Sequence, residues 1–463
     1  MNIIICGVGR VGLSIASYLS LHNNNITVID SDPHLVKRVS DTYDITGLVG
    51  HASQPDILKK AGAEDADIII AVTDCDEVNM VACQVAHSVF GINKKIARIR
   101  NKEYRDKAWS NLFSRNHMPI DVIISPEEEI ADAIIGRMSV PGTTNDISFV
   151  DNRVHISGFI IVSNSNLCGE KIRNIYYANK DYKFRFCILI RQSESIDFND
   201  DTILENGDEI YFICDKEILF FLLPKLGVNQ IKKSKNIVIC GGGVIGDSLC
   251  EKIQNHSRFH ESHLTIIEND RERARALNRQ YKKALVINGS ALDYDILSEA
   301  NVGKTSSFVT VMNSNENNIL SAVLAKKMGA DYSIALSNNR LYSQLLPDRI
   351  VDAIVNPETI TVSKILHNLQ RGSVITTHTI RDTKIELIEA TVSNNCSIVQ
   401  TPLKELTLPK GVEIIGIYNK KDDKFIIPSD NTAIECHDTI ILQSENVKSE
   451  EIDKIFSFSI NLF

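Results

Sequence analysis

The chain has 463 residues, 43% of them hydrophobic, and a formal charge of -9 from 50 basic and 59 acidic side chains. That is an ordinary composition for a water-soluble chain of several domains, and its acidic balance argues against a dedicated nucleic-acid binder. The longest apolar runs, such as Ile218–Leu223, fall far short of the about 20 residues that span a bilayer, so the chain is not expected to form a pore by itself.

Met1–Gly7 reads as a strand, so no secretion leader is expected. A glycine turn follows strand 2–6 and opens a helix near 9–21, which places Val8, Val11, Ile15 and Leu19 on one face. Strand 26–30, a helix over 33–40, strand 45–49 and a helix near 55–61 come next. Ala66–Val72 is an almost continuous apolar strand, as expected where helices cover both faces of a parallel sheet. A helix near 76–90 and strand 95–99 complete this run. Residues 126–138 form an amphipathic helix with Ile130, Ile134 and Ile135 on one stripe, and 145–225 hold short β patterns. A short basic linker, 230–235, then leads into a second copy of the same plan.

The duplication is visible residue by residue. Ile3–Gly12 corresponds to Ile237–Gly246, Thr27–Asp30 to Thr265–Glu268, and Asp56-Ile57-Leu58 to Asp295-Ile296-Leu297. Glu77 and Asn79 return as Glu316 and Asn318, and Ser125-Pro126-Glu127 as Asn356-Pro357-Glu358. A nearly constant offset means that one unit was duplicated. The fold class is therefore α/β: two Rossmann-like doubly wound parallel sheets, each followed by a small α+β lobe. The expected domains are 1–140, 141–225, 226–372 and 373–463.

The glycine turns carry the first chemistry. One G-x-G-x-x-G is weak evidence, but here it occurs twice, each time between an apolar strand and a helix. Gly7 and Gly241 allow the tight turn. Gly9 and Gly243 lack a Cβ, so a pyrophosphate can approach the backbone, and Gly12 and Gly246 let helix and strand pack closely. The residues between, Val8, Arg10 and Val11 in one copy and Val244 and Ile245 in the other, bring free N–H groups at a helix N-terminus. Asp30 and Glu268 end the second strands, where a carboxylate binds ribose hydroxyls and disfavours a 2′-phosphate; Asp32 competes for the first assignment.

Arg10 lies inside the first turn, and Arg98 and Arg100 end the fifth strand, where a doubly wound sheet presents its ligand crevice. Their second-half counterparts are Val244, Leu336 and Asn338, so the two sites differ in charge. Thr73 and Asp74, with Asp76, Glu77 and Asn79, follow the fourth strand; they would cap the next helix or touch the ribose. His51, His87 and His117 show no metal spacing and read as structural or surface residues. The ten cysteines form no C-x-x-C pair and read as small buried hydrophobes kept reduced. Neither a metal site nor a catalytic constellation is expected.

This arrangement resembles the TrkA-type potassium-uptake regulators, built from KTN (RCK) domains, over essentially the whole chain. Cys6–Gly12, Gly50–Leu58, Val72–Asn79 and Ser125-Pro126-Glu127 carry the likeness, together with the order of domain, lobe, domain, lobe. The resemblance implies a cytoplasmic, peripheral protein that binds NAD(H), with ATP and ADP as further ligands. It implies a homo-oligomeric ring, dimer or tetramer, on the inner face of a membrane potassium-translocating subunit of the TrkH/TrkG type, whose gate the nucleotide biases. This chain departs from the family where the acid expected after the third-strand glycine is His51, or Ser290 in the second half. Asn313 and Asn315 also replace Asp74 and Asp76. Two rival readings stand beside this one: an NAD-dependent oxidoreductase, for which the small lobes offer no His/Lys or Cys/His constellation, and a regulator of another cation channel or antiporter.

Overall fold

The computed structural model describes residues 1–20, 24–109, 111–192, 194–228, 236–339, 342, 350–369, 374–380, 383–393, 396, 398–445, 447, 451–452 and 455–456. The expected linker 230–235 lies outside them.

The first half runs β1 (Asn2–Cys6), α1 (Arg10–Ser20), β2 (Asn25–Asp30), α2 (Pro33–Thr42), β3 (Thr46–Val49), α3 (Pro55–Lys60), β4 (Ile68–Ala71), α4 (Asp76–Ser88), β5 (Lys94–Arg98), β6 (Val122–Ile124) and α5 (Pro126–Ser139). Its strands form one parallel sheet in the order β3-β2-β1-β4-β5-β6. The chain order reverses between β1 and β4, and that switch point is where such sheets bind ligands. Ile5 pairs with Val28 on one side and Ile70 on the other, and the central strand is apolar from Ile3 to Cys6.

The first lobe has β7 (Asn145–Phe149), β8 (Val154–Ile160), α6 (Ile172–Ala178), β9 (Phe184–Arg191), β10 (Glu194–Ser195), β11 (Glu209–Asp215) and α7 (Lys216–Lys225). The second half repeats the plan with β12 (Asn236–Cys240), α8 (Val244–Asn255), β13 (His263–Glu268), α9 (Arg271–Gln280), β14 (Leu285–Asn288), α10 (Tyr294–Glu299), β15 (Ser307–Thr310), α11 (Asn315–Met328), β16 (Ser333–Leu336), β17 (Ala353–Val355) and α12 (Pro357–Leu369). Its sheet has the equivalent order, β14-β13-β12-β15-β16-β17. The last lobe contributes β18 (Val374–Thr379), β19 (Ile385–Thr391), β20 (Val412–Asn419), β21 (Lys424–Ile426) and β22 (Thr439–Glu445). Both lobe sheets are antiparallel and five-stranded. Their apolar faces meet: Phe149, Ile156 and Ile213 pack with Ile385, Leu387 and Ile441 in one core.

The two halves exchange helices. The α5 stripe of Ile130, Ile134 and Ile135 is buried, but in the core of the second half, with Ile237, Leu249 and Tyr332. In return α12 sends Ile365 and Val362 into the core of the first half, against Ile5, Ile15 and Ile124. Lys252 of α8 reaches Asp132 of α5 at 2.6 Å, and Lys364 of α12 reaches Glu129 at 3.5 Å. Each half is thus completed by a helix from the other.

Candidate functional site

The exchange brings the ligand faces of the two sheets onto one cavity of about 810 Å3. From the first half it is lined by Gly7, Gly9, Arg10, Val11, Asp30, Thr73, Asp74, Arg98 and Arg100. Val8 and Gly12 stand just behind this wall, both buried. The second half contributes Ile245, Met312, Asn313, Asn315 and Asn338, and the N-terminal turns of the exchanged helices add Glu127 and Glu358.

The three glycines of the first turn do different work. Gly7 has φ +95°, where a side chain would be strained, and a Cβ on it would press on the backbone of Thr73. A Cβ on Gly12 would collide with the carbonyl oxygen of Gly7. Around Gly9, in contrast, a Cβ would meet nothing within 4 Å. The fold itself therefore has no need of glycine there, and the space is free for a group that must approach the backbone.

Asp30 faces this space while holding the turn. One carboxylate oxygen accepts the Val8 N–H at 2.6 Å and the other accepts the Asp32 N–H at 2.9 Å. Asp32 itself caps α2, accepting from the His34 N–H at 2.8 Å, and unlike Asp30 it does not line the cavity. Each Asp30 oxygen keeps a lone pair for a further donor.

Arg10 is exposed, lines the cavity and makes no hydrogen bond or ion pair among the described residues. Arg98 donates to Glu127 Oε1 at 3.2 Å, and Arg100 Nε stands 3.9 Å from the same oxygen. Arg98 Nε, Arg100 Nε and Glu127 Oε2 are buried without a hydrogen-bond partner among the described residues. Burial holds the Arg98 guanidinium below its ordinary pKa, with Glu127 opposing. Buried polar atoms left unpaired are destabilising, so the two Nε–H groups call for an acceptor and Glu127 Oε2 for a donor such as a hydroxyl.

The segment after β4 corrects one expectation. Cys75 is the N-cap of α4 and makes no side-chain capping bond. Asp76 instead accepts the Arg100 N–H at 2.9 Å and the Asn101 N–H at 2.8 Å. Asn79 accepts from Thr73 N and Oγ1 and donates to the carbonyls of Thr73 and Arg98. These side chains tie the ends of β4 and β5 together, which fixes Thr73 and Arg98 on the cavity wall. Asn318 repeats the clamp on Met312 and Leu336.

The chain matches the TrkA-N domain family over residues 3–126 and 237–357, and the TrkA-C domain family over 156–219 and 387–457. The Trk system potassium uptake protein TrkA of Azorhizobium caulinodans is 34% identical over 100% of both chains. Those of Haemophilus influenzae and Halomonas elongata are 33% and 31% identical, over 98% and 100% of both chains. This chain belongs to the TrkA family. Among solved structures, the RCK domain of GsuK superposes with a TM-score of 0.58 at 13% identity, covering 98% of this chain and 94% of that one. The GsuK channel bound to NAD gives 0.59 at 14%, covering 98% and 78%. At that identity the likeness is one of fold. Among the described residues no helix is long and apolar enough to cross a membrane, and no His/Cys/Asp/Glu group has a metal-binding arrangement.

Of the second-half candidates, only Ile245 lines the shared cavity; Gly241, Gly243, Val244, Gly246 and Glu268 do not. The second turn has the same backbone plan, with Gly241 at φ +104° and the Glu268 carboxylate accepting the Gly242 N–H at 2.6 Å. What differs from the first half is the neighbouring helix, α9, whose Arg273 donates to the Gly242 carbonyl at 2.6 Å.

Several wall residues escaped the sequence reading. Leu35 lines the cavity from α2, and Glu358 from α12. His51, read as structural or surface, also lines it, with Nδ1 2.8 Å from Ser53 Oγ. For Glu127 and Glu358 the signal was present in the repeated Pro-Glu pair, but their meeting in one cavity depends on the helix exchange.

Proposed function

We propose that this chain is a cytoplasmic regulatory subunit of a potassium uptake system, which binds NAD(H) or an adenine nucleotide at the first glycine turn. The observation that carries this reading is the shared wall. A ligand lying over Gly9 and Asp30 also faces residues of the second half and both exchanged helices. Such a ligand has different contacts in any arrangement that moves the halves, and a differential affinity of that kind is what biases a conformational equilibrium.

Gly9 and the N-terminus of α1 would hold the pyrophosphate, assisted by Arg10. Asp30 would take the ribose hydroxyls, and Arg98 and Arg100 would offer their unpaired Nε donors to phosphate oxygens. The nucleotide supplies negative charge and a base that spans the cavity; the chain supplies the cradle. Through a homo-oligomeric ring on the inner face of the membrane, this binding would bias the gate of a separate potassium-translocating subunit of the TrkH/TrkG type. The names of the relatives and the NAD-bound GsuK channel support the reading.

Calorimetry with NADH, NAD, ATP and ADP on the purified chain tests it. Saturable binding of at least one is expected, and loss of potassium uptake in cells lacking the chain should be restored by wild type but not by Arg10→Ala. No heat from any of the four at millimolar concentration would overturn the proposal.

A further inference from the structure

The two glycine turns share one backbone plan but differ in what stands over them. Repeat equivalence sets Val8 against Gly242, Leu35 against Arg273, Val39 against Leu277, and Leu13 against Asp247. In the first half Val8 is buried under the turn and Leu35 is part of the open cavity wall. In the second half there is no side chain at position 242, and a Cβ there would collide with Leu277 Cδ1. Glycine at that place lets α9 close onto the turn.

The closure is polar as well as steric. Arg273 Nε donates to the Gly242 carbonyl at 2.6 Å, while Glu268 accepts the N–H of the same residue at 2.6 Å. Both backbone groups of Gly242 are therefore satisfied by the chain's own side chains. The Arg273 guanidinium is in turn drawn toward Asp247, 3.7 Å away in the first turn of α8. Asp247 is fixed there by the Tyr281 hydroxyl at 2.7 Å, by Gln280 at 3.0 Å and by Lys102 at 3.5 Å. Asp247, one helical turn beyond the counterpart of Arg10, is thus taken up by Arg273, Lys102, Tyr281 and Gln280, and it holds the Arg273 guanidinium over the second turn. Gly243, like Gly9, has no neighbour that a Cβ would meet, so the two turns differ at position 242 and in the side chain bonded to it, not at the second glycine.

We propose that Arg273 closes the second glycine turn as an internal plug, so that each chain binds a single nucleotide, in its first half. This rests on the reading given under the proposed function and deepens it: the repeat holds one working cradle and one latent cradle. The latent cradle serves the first by completing the cavity wall from the other side.

The test counts sites. Equilibrium dialysis of the full chain with ADP, and separately with NADH, should give one site per chain for wild type. Arg273→Leu, which installs the residue of the first half, should raise the count to two. Adding Arg10→Ala to Arg273→Leu should weaken only one of the two. Arg273→Met, which keeps an unbranched side chain but has no N–H donor, serves if the leucine variant fails to fold, and should likewise add a site. Two sites in wild type, or a single site in every folded Arg273 variant, would overturn the inference while leaving the first-half reading intact. No binding at all by wild type would overturn both.

Discussion

The Asp30 carboxylate accepts the Val8 N–H at 2.6 Å, so the acid that faces the candidate ligand also anchors the turn that would hold it. Hydrogen bonds to a charged group contribute about 1.5–3 kcal/mol each. Asp30→Ala loses two such bonds, from Val8 and Asp32, and should therefore lower stability to urea by at least about 1.5 kcal/mol, besides weakening nucleotide binding.

Arg10 separates the two effects. It is exposed and pairs with nothing among the described residues. Arg10→Ala should leave the free energy of unfolding in urea within about 0.5 kcal/mol of wild type. It should weaken ADP binding about tenfold or more, the loss of one charge-assisted contact. A large drop in stability, or unchanged ADP affinity in a titration, would remove Arg10 from the site.

Asn79 tests the clamp. Its side chain is fully buried and bonds to Thr73 and to the Arg98 carbonyl, joining the ends of β4 and β5. Asn79→Ala strands several buried groups, each worth about 1–3 kcal/mol. Denaturation should show a loss of at least about 2 kcal/mol. Asn318→Ala, which breaks the repeated clamp on Met312 and Leu336, should cost about the same.

These clamps show what the sequence carries and what it does not. The strand–turn–helix order, the duplication and the glycine turns are local patterns, legible from spacing alone. The burial of Ile134 and Ile135 was legible too, as a stripe on α5. Which sheet the stripe covers was not, because both halves offer similar apolar faces and the choice is made by tertiary packing. Polar residues after β4 read as helix caps because capping is the commonest local use of Asp and Asn. Asp76 and Asn79 instead bond to the end of β5, a partner distant in the chain. The difference between the cradles was half visible. Comparing Arg10 with Val244 exposed one lost charge, whereas carrying the repeat five residues past Asp30 and Glu268 would have set Leu35 against Arg273.

The helix exchange predicts that the halves do not behave as independent bodies. A fragment ending at residue 225 would carry the Ile130, Ile134 and Ile135 stripe without the core that covers it. Such a patch drives association. The fragment should run as a dimer or larger species on gel filtration, and adding the fragment that begins at residue 226 should convert it to a discrete complex. In the intact chain Ile134→Ala should cost about 2–5 kcal/mol.

Glu389 gives a pH-dependent test at the seam between the lobes. It is 6% exposed and accepts the Val150 N–H of the other lobe at 3.1 Å and the Thr376 hydroxyl at 3.2 Å. Burial raises its pKa above the usual 4.5, against those two hydrogen bonds. The folded state therefore binds this proton more tightly than the unfolded chain does, and stability falls as pH rises from about 4.5 through the raised value. Glu389→Gln keeps an acceptor for Val150 and an amide for the Thr376 oxygen while removing the charge. The variant should melt higher than wild type at pH 7, and the gap should close on acidification below about 4.5. A variant that melts lower than wild type at pH 7 would mean that the charged hydrogen bonds outweigh the desolvation of the carboxylate at this seam.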